Sequence, residues 1–169
     1  NDRVEKIDYL KNLVLGCSGI LLSGPVYFGD RSSLAQKFFE FLKNDNDCLE
    51  YIKNKPFAGI SVGAKRNGGQ ETTLIYQIID STNLGMSAIG NDFETTAQYG
   101  GTAVAGDIGT MPEDNYGFKT SISTGSRISD VVNIFEKGKS KIEKKRNSKT
   151  YKLGIWLLQD DKNKKGESY

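Results

Sequence analysis

Two glycine-rich segments hold the residues best suited to chemistry: Ser23 to Gly29, reading Ser-Gly-Pro-Val-Tyr-Phe-Gly, and Gly63 to Glu71, reading Gly-Ala-Lys-Arg-Asn-Gly-Gly-Gln-Glu. Each follows an apolar, strand-like run and precedes a helix-like run. Both loops therefore belong at one edge of one sheet. In an open α/β sheet the carboxyl ends of neighbouring strands form the crevice where ligands bind, so two glycine-rich, partly aromatic loops there point to a flat ligand held by backbone groups. The second loop is not a nucleotide P-loop, because Gly-Lys-Ser/Thr is absent.

Other chemistries are excluded by composition. The 169 residues contain no histidine and two cysteines, Cys17 and Cys48, far apart and without metal-ligand spacing. A zinc site and a Ser-His-Asp or Cys-His catalytic pair are ruled out within this chain. Cys17, just before an apolar run, is expected as a core thiol, and Cys48, beside a polar stretch, as a bystander. Thiols used in this way suit a reducing, cytoplasmic compartment. Lys and Arg number 23 against 21 Asp and Glu, a net charge of +2. The clearest basic excess, Lys137 to Lys149, reads as a solvated helix face, and with no aromatic-interleaved basic platform nucleic acid is not an expected partner. No apolar run approaches the roughly 20 residues that span a bilayer, so a membrane is not one either.

The elements that must position the two loops follow from hydrophobic spacing. Val4, Ile7, Leu10 and Val14 recur at helical intervals, predicting an amphipathic helix that ends near Gly16. Gly19 to Phe28 has little polar alternation and reads as a strand covered on both faces. Ser32 is a plausible N-cap for a helix burying Leu34, Phe38, Phe41 and Leu42. Asn44 to Asp47 reads as a polar loop and Pro56 to Ala64 as the second strand. A helix from about Gln70 is expected to bury Leu74, Ile75, Ile78 and Ile79. Gly85 to Ile89 and Thr102 to Ala105 read as short strands, one strand interrupted by an insertion. After a loop containing Pro112 and Gly117, a final helix holds Ile128, Val131, Val132 and Phe135. Ser123 to Arg127, phosphate-friendly in composition, would open that helix. The apolar stretch Tyr151 to Leu158 belongs to a C-terminal extension, residues 150–169, beyond a domain of residues 1–149. Alternating strands and helices argue for an α/β fold with a parallel sheet.

At Gly24-Pro25-Val26-Tyr27-Phe28-Gly29, Gly68-Gly69-Gln70-Glu71-Thr72-Thr73, Leu84-Gly85-Met86 and Tyr99-Gly100-Gly101-Thr102 the chain resembles the flavodoxin-like flavoproteins. The likeness is to the NAD(P)H-dependent FMN reductases and WrbA-type quinone reductases, and it covers about residues 10 to 132. The resemblance implies a flavodoxin-like three-layer sandwich. It also implies an FMN whose ring rests on Pro25, Val26, Tyr27, Phe28 and Gly29, with Gly63, Ala64, Lys65, Arg66, Asn67, Gly68 and Gly69 along its edge. Tyr99 would face a neighbouring subunit's flavin. Glycine lets backbone N–H groups reach the ring, Pro25 holds φ, and Tyr27 is placed to stack.

Hydride passes directly from nicotinamide to the flavin, so no catalytic side chain is required and the missing histidine is no objection. The implied function is an FMN-dependent NAD(P)H oxidoreductase, a homodimer or homotetramer, passing electrons to a quinone, free flavin or other small acceptor. A flavin-free interaction module or an FMN electron carrier are the alternatives. One departure stands out. The family opens with a strand, a Ser/Thr-rich phosphate loop, a helix and a second strand ahead of the helix at Val4, whereas here Asn1 leads almost directly into that helix. The N-terminal part of the fold, with its phosphate anchor, is therefore expected to be missing from this sequence.

Overall fold

Aliphatic runs with few charges form two adjacent parallel strands, β1 (Ile20–Tyr27) and β3 (Pro56–Gly63), with Ile20 beside Phe57 and Pro25 beside Val62. These are the centre of a five-stranded sheet in a computed structural model that describes residues 2–90, 94–95, 97–107 and 113–142. β2 (Asp30–Arg31) folds back antiparallel on the end of β1, pairing Val26 with Arg31 and Tyr27 with Asp30. β4 (Ser87–Ala88) and β5 (Gly101–Val104) both run parallel to β3 on the edge away from β1, at Pro56–Phe57 and Ile60–Gly63 respectively. They are two pieces of one strand position, interrupted as the sequence implied.

The helices are α1 (Asp2–Gly16), α2 (Ser33–Asn44), α3 (Asn46–Ile52), α4 (Gln70–Asn83) and α5 (Asn115–Ile142). Odd-numbered β3 residues look toward α2, α3 and α4: Phe57 meets Phe39 at 5.8 Å between ring centroids, and a Cβ on Gly59 would strike Gln77 and Leu74. The core on that side joins Val14, Phe39, Leu42, Cys48, Ile52, Phe57, Leu84 and Met86. Even-numbered β3 residues face α5, where Ile60 and Ser121 crowd Gly101, and Ile128 and Val132 lie over Gly19. Helices on both faces of a mainly parallel sheet make three layers.

Several expectations need correction. β1 is half-buried on one face only; with α5 the helix over the other face among the described residues, Leu21 remains 44% exposed. The outer edge of β1 from Ile20 to Gly24 has no strand beside it among the described residues. Its position next to β1 is where the resemblance puts a first strand. α2 is capped by Ser32, whose hydroxyl accepts from the Ala35 N–H at 3.2 Å, but it buries Ala35, Phe39 and Leu42 while Leu34 is exposed. The Asn44 to Asp47 stretch is no loop: Asp45 ends α2 and caps α3, accepting from the Cys48 N–H at 3.0 Å.

Because α3 turns inward, Cys48 is fully buried and Cys17 half-exposed, the reverse of the expected order. α4 buries Gln70, Thr73, Leu74, Gln77 and Ser81 and leaves Ile75 and Ile79 exposed, since the face it turns to Gly59 and Gly63 carries Leu74, Gln77 and Gln70, which fill the space those glycines leave. Gly117 lies in the first turn of α5, and Ser123 to Arg127 sit well inside that helix, with Thr124 buried and its hydroxyl bonded to the Thr120 carbonyl. Ser123 to Arg127 thus do not open the helix, which starts at Asn115. The described residues up to Gly138 belong to one compact unit. Pro112, the residues from 143 onward and the expected C-terminal extension lie outside the described residues.

Candidate functional site

Loop 1 leaves β1 through two successive left-handed residues, Phe28 at φ 52° and Gly29 at φ 76°. A phenylalanine there is uncommon, and its ring is fully solvent-exposed; Tyr27 is 57% exposed beside it. The turn sets the backbone of Gly29 against the start of α4. Loop 2 leaves β3 at Gly63 and reaches α4 through Asn67 at φ 58° and Gly69, the N-cap residue, at φ 100°.

The two loops touch. A Cβ on Gly69 would stand 2.8 Å from Gly29 Cα and 3.1 Å from Val26 Cγ1, so only glycine permits this approach. Pro25 to Gly29 and Gly63 to Gly69 thus converge at the carboxyl ends of β1 and β3, as the sequence implied. Tyr99 does not join them. It precedes β5 next to Gly100, whose Cα hydrogen side abuts the Gly59 carbonyl, roughly 15 Å back along the sheet at about 3.3 Å per residue.

Loop 2 is braced by Gln70, Arg66 and Asp114, of which sequence reasoning gave Gln70 no role and passed over Asp114. Gln70, 3% exposed, accepts from the Gly68 N–H at 2.8 Å and donates to the Lys65 carbonyl at 2.7 Å and the Ala103 carbonyl at 3.2 Å. It fixes the loop from inside. Arg66 donates to the Thr102 carbonyl at 3.2 Å, pairs with Asp114 and lies over the Tyr116 ring at 5.0 Å. Asp114 accepts in turn from the Val104 N–H at 2.7 Å and the Gly117 N–H at 3.0 Å, joining β5, α5 and loop 2. Burial pushes the Asp114 carboxyl upward, but those two N–H groups and the Arg66 guanidinium outweigh it and hold the group below its usual range. An acid just ahead of an Asn-Tyr-Gly helix start was the one signal that could have found it.

Between loop 2 and α5 a cavity of about 290 Å³ is lined by Arg66, Asn67, Gly69, Thr102 and Tyr116 and by the first turn of α4, which brings the Glu71 carboxylate to it as well as Gln70 and Thr72. Backbone N–H groups at the first turn of α4 and the Arg66 guanidinium border it, a setting favourable to electron-rich ligand atoms. Lys65 and Asn67 are exposed at the loop tip. The cavity thus offers backbone N–H groups, the Arg66 guanidinium, the Glu71 carboxylate and the Tyr116 ring.

The family model for NADPH-dependent FMN reductase matches residues 2–98. The chain belongs to this family. Flavin-linked oxidoreductase chemistry is the family's own, and both loops fall inside the matched span. An iron-sulfur flavoprotein of Methanocaldococcus jannaschii is 31% identical over 134 residues, 79% of this chain and 68% of the relative. An iron-sulfur flavoprotein of Methanosarcina thermophila is 30% identical over 141 residues, 81% of this chain and 68% of that one. Among solved structures, a flavodoxin, WrbA-like protein from Agrobacterium tumefaciens superposes with a TM-score of 0.57 at 18% identity, over 73% of this chain and 71% of the other. That likeness establishes the flavodoxin-like fold.

Proposed function

We propose that this FMN reductase family member is an FMN-dependent NAD(P)H oxidoreductase that passes electrons to a quinone, a free flavin or another small acceptor. The observation that carries the proposal is the contact of loops 1 and 2 at Gly29 and Gly69, which brings two glycine-rich backbone segments together at the carboxyl ends of β1 and β3 at a separation that a Cβ would prevent. Pro25, Val26, Tyr27, Phe28 and Gly29 would lie against the ring, and Gly63, Ala64, Lys65, Arg66, Asn67, Gly68 and Gly69 along its edge. FMN, when bound, supplies the atom that takes hydride from the nicotinamide and later gives electrons to the acceptor. The chain's own part is to orient the ring, present N–H donors to its electron-rich edge and keep both loops rigid. Tyr99 is assigned to a neighbouring copy's site. The exposed apolar face of α4, with Ile75, Tyr76 and Ile79, is the candidate surface for a homodimer or homotetramer.

The relatives' name raises an iron–sulfur cluster as well. Such clusters are held by four cysteine thiolates. This chain has two cysteines; burial raises the pKa of Cys17, and burial together with Asp45 pushes Cys48 up to about 11. Among the described residues no group of three or more His, Cys, Asp or Glu is placed to hold a metal. The residues present here do not fit a cluster, and the proposed chemistry is assigned to flavin. Among the described residues no helix is long and apolar enough to cross a membrane. Two free cysteines support a cytoplasmic setting.

The test is anaerobic mixing of FMN-loaded protein with NADPH and, separately, NADH. Bleaching of the flavin band by one of them, reversed by a quinone or free flavin, is the expected result. Bleaching by dithionite but by neither nucleotide contradicts the reductase and leaves the electron carrier. The flavin-free module is favoured by the open edge of β1 and the apolar groove beside it, lined by Leu10, Leu22, Pro25, Leu34 and Phe38. A protein that takes up no FMN decides for that reading.

A further inference from the structure

Loop 1 has little internal packing. Tyr27 and Phe28 turn their rings to solvent, and the β2 segment that returns the chain is two residues long. Arg31, the last residue of that segment, reaches across to the second and third turns of α4. Its guanidinium pairs with Asp80 at 2.7 Å through Nη2 and with Asp30 at 2.8 Å through Nη1, and it lies over the Tyr76 ring at 5.5 Å. The side chain is 16% exposed and that of Asp80 24%, so this is a partly desolvated ion pair rather than a loose surface one, and burial still pushes the Asp80 carboxyl upward against the pull of Arg31. Asp30 also accepts from the Arg31 N–H at 2.6 Å, fixing the stem from which the side chain springs.

The same arrangement occurs at loop 2, where Arg66 pairs with Asp114 and lies over Tyr116. Each wall of the crevice is thus tied down by an arginine, an aspartate and a tyrosine ring. The difference lies in what is joined: Arg66 ties loop 2 to α5, whereas Arg31 ties loop 1 to α4, the helix whose first turn closes loop 2.

We propose that Arg31 is a positioning residue for the crevice, clamping loop 1 to α4 through Asp80 and Tyr76 and thereby setting the spacing between the two loops. It touches no ligand; it acts through the Gly29–Gly69 approach, which only a fixed loop 1 can maintain. The link to flavin binding rests on the function proposed above. Arg31→Met removes both the fork and the charge. Arg31→Lys keeps the charge but loses the planar stack and the second donor direction, so it restores the clamp in part.

The test compares wild type, Arg31→Met, Arg31→Lys and Asp80→Asn in two measurements. Hydrogen exchange of the ligand-free proteins reads the loop, and titration with FMN, followed by flavin absorbance, reads the site. Arg31→Met is expected to raise exchange at residues 26–32 at least tenfold while amides of β3 are unchanged, and to weaken FMN binding about tenfold. Arg31→Lys should fall between it and wild type, and Asp80→Asn, which reads the same clamp should Arg31→Met fold poorly, should shift both measurements in the direction of Arg31→Met. Unchanged exchange in loop 1 overturns the clamp. Faster loop exchange with FMN affinity within twofold of wild type overturns the positioning role. A wild-type protein that takes up no FMN instead overturns the flavin reading, and with it the role assigned to the clamp, whatever the variants do.

Discussion

Gly69→Val should abolish measurable FMN binding, with affinity falling at least 100-fold, about 2.7 kcal/mol. Two independent effects point the same way. Gly69 sits at φ 100°, a conformation that β-branched residues essentially never adopt. Its Cβ would also lie 2.8 Å from Gly29 Cα, and backbone does not yield as a flexible side-chain tip does. The substitution must shift loop 1, loop 2 or both, and the cradle opens. The global fold should survive, because the contact lies at the strand ends and the core around Phe39, Leu42 and Phe57 is remote. Far-ultraviolet circular dichroism and an FMN titration check the two halves. A folded variant that binds FMN as wild type does would show that the loop contact is no part of the site.

Asp114→Ala should cost about 3 kcal/mol of stability, measured by denaturant unfolding. Loss of a helix cap removes about 1 kcal/mol, and a charge-assisted hydrogen bond to a partly buried N–H adds roughly 1.5–3; the terms share one carboxylate and do not sum fully. The change also frees Arg66 from its ion pair, so loop 2 should gain mobility. The pH dependence has a definite sign. The folded carboxyl titrates below the unfolded value of about 3.9, so its contribution is complete above that value and is lost as pH falls through the lower, folded pKa. The stability gap between wild type and Asp114→Ala should therefore be constant at neutral pH and narrow below about pH 4. A gap that instead widens with acid would contradict the assigned partners.

The parts of this molecule that were legible in the sequence are those governed by local rules. Glycine-rich runs at strand ends marked both loops, and Ser32 marked the start of α2 through its cap. The split strand was legible because Gly85 to Ile89 and Thr102 to Ala105 carry strand-like residues on either side of a polar stretch. What escaped depends on which surface an element meets. α4 was read from Leu74 and its isoleucines; Leu74 is buried, but the rest of the buried face is Gln70, Thr73, Gln77 and Ser81, because the helix lies close over Gly59 and Gly63 and turns Ile75 and Ile79 outward. β1 looked doubly covered because an apolar strand does not reveal how many helices lie over it.

The site divides in the same way. Backbone cradles announce themselves through glycine and proline, whereas Gln70, Asp114, Tyr116 and Arg31 act by reaching across the chain, 36 residues in the case of the Arg66 bond to Thr102. A single sequence carries no mark of such a pairing. Their common effect is to brace two exposed, glycine-rich loops, the rigidity that the flavin site proposed here requires.

The most direct test of the account is hydrogen exchange of the purified protein with and without saturating FMN. The account predicts yellow protein in which FMN slows exchange at residues 26–29 and 64–69 together, with α5 beyond its first turns unaffected. Absence of uptake, or protection confined to some other part of the chain, would contradict the assignment of this crevice as the flavin site.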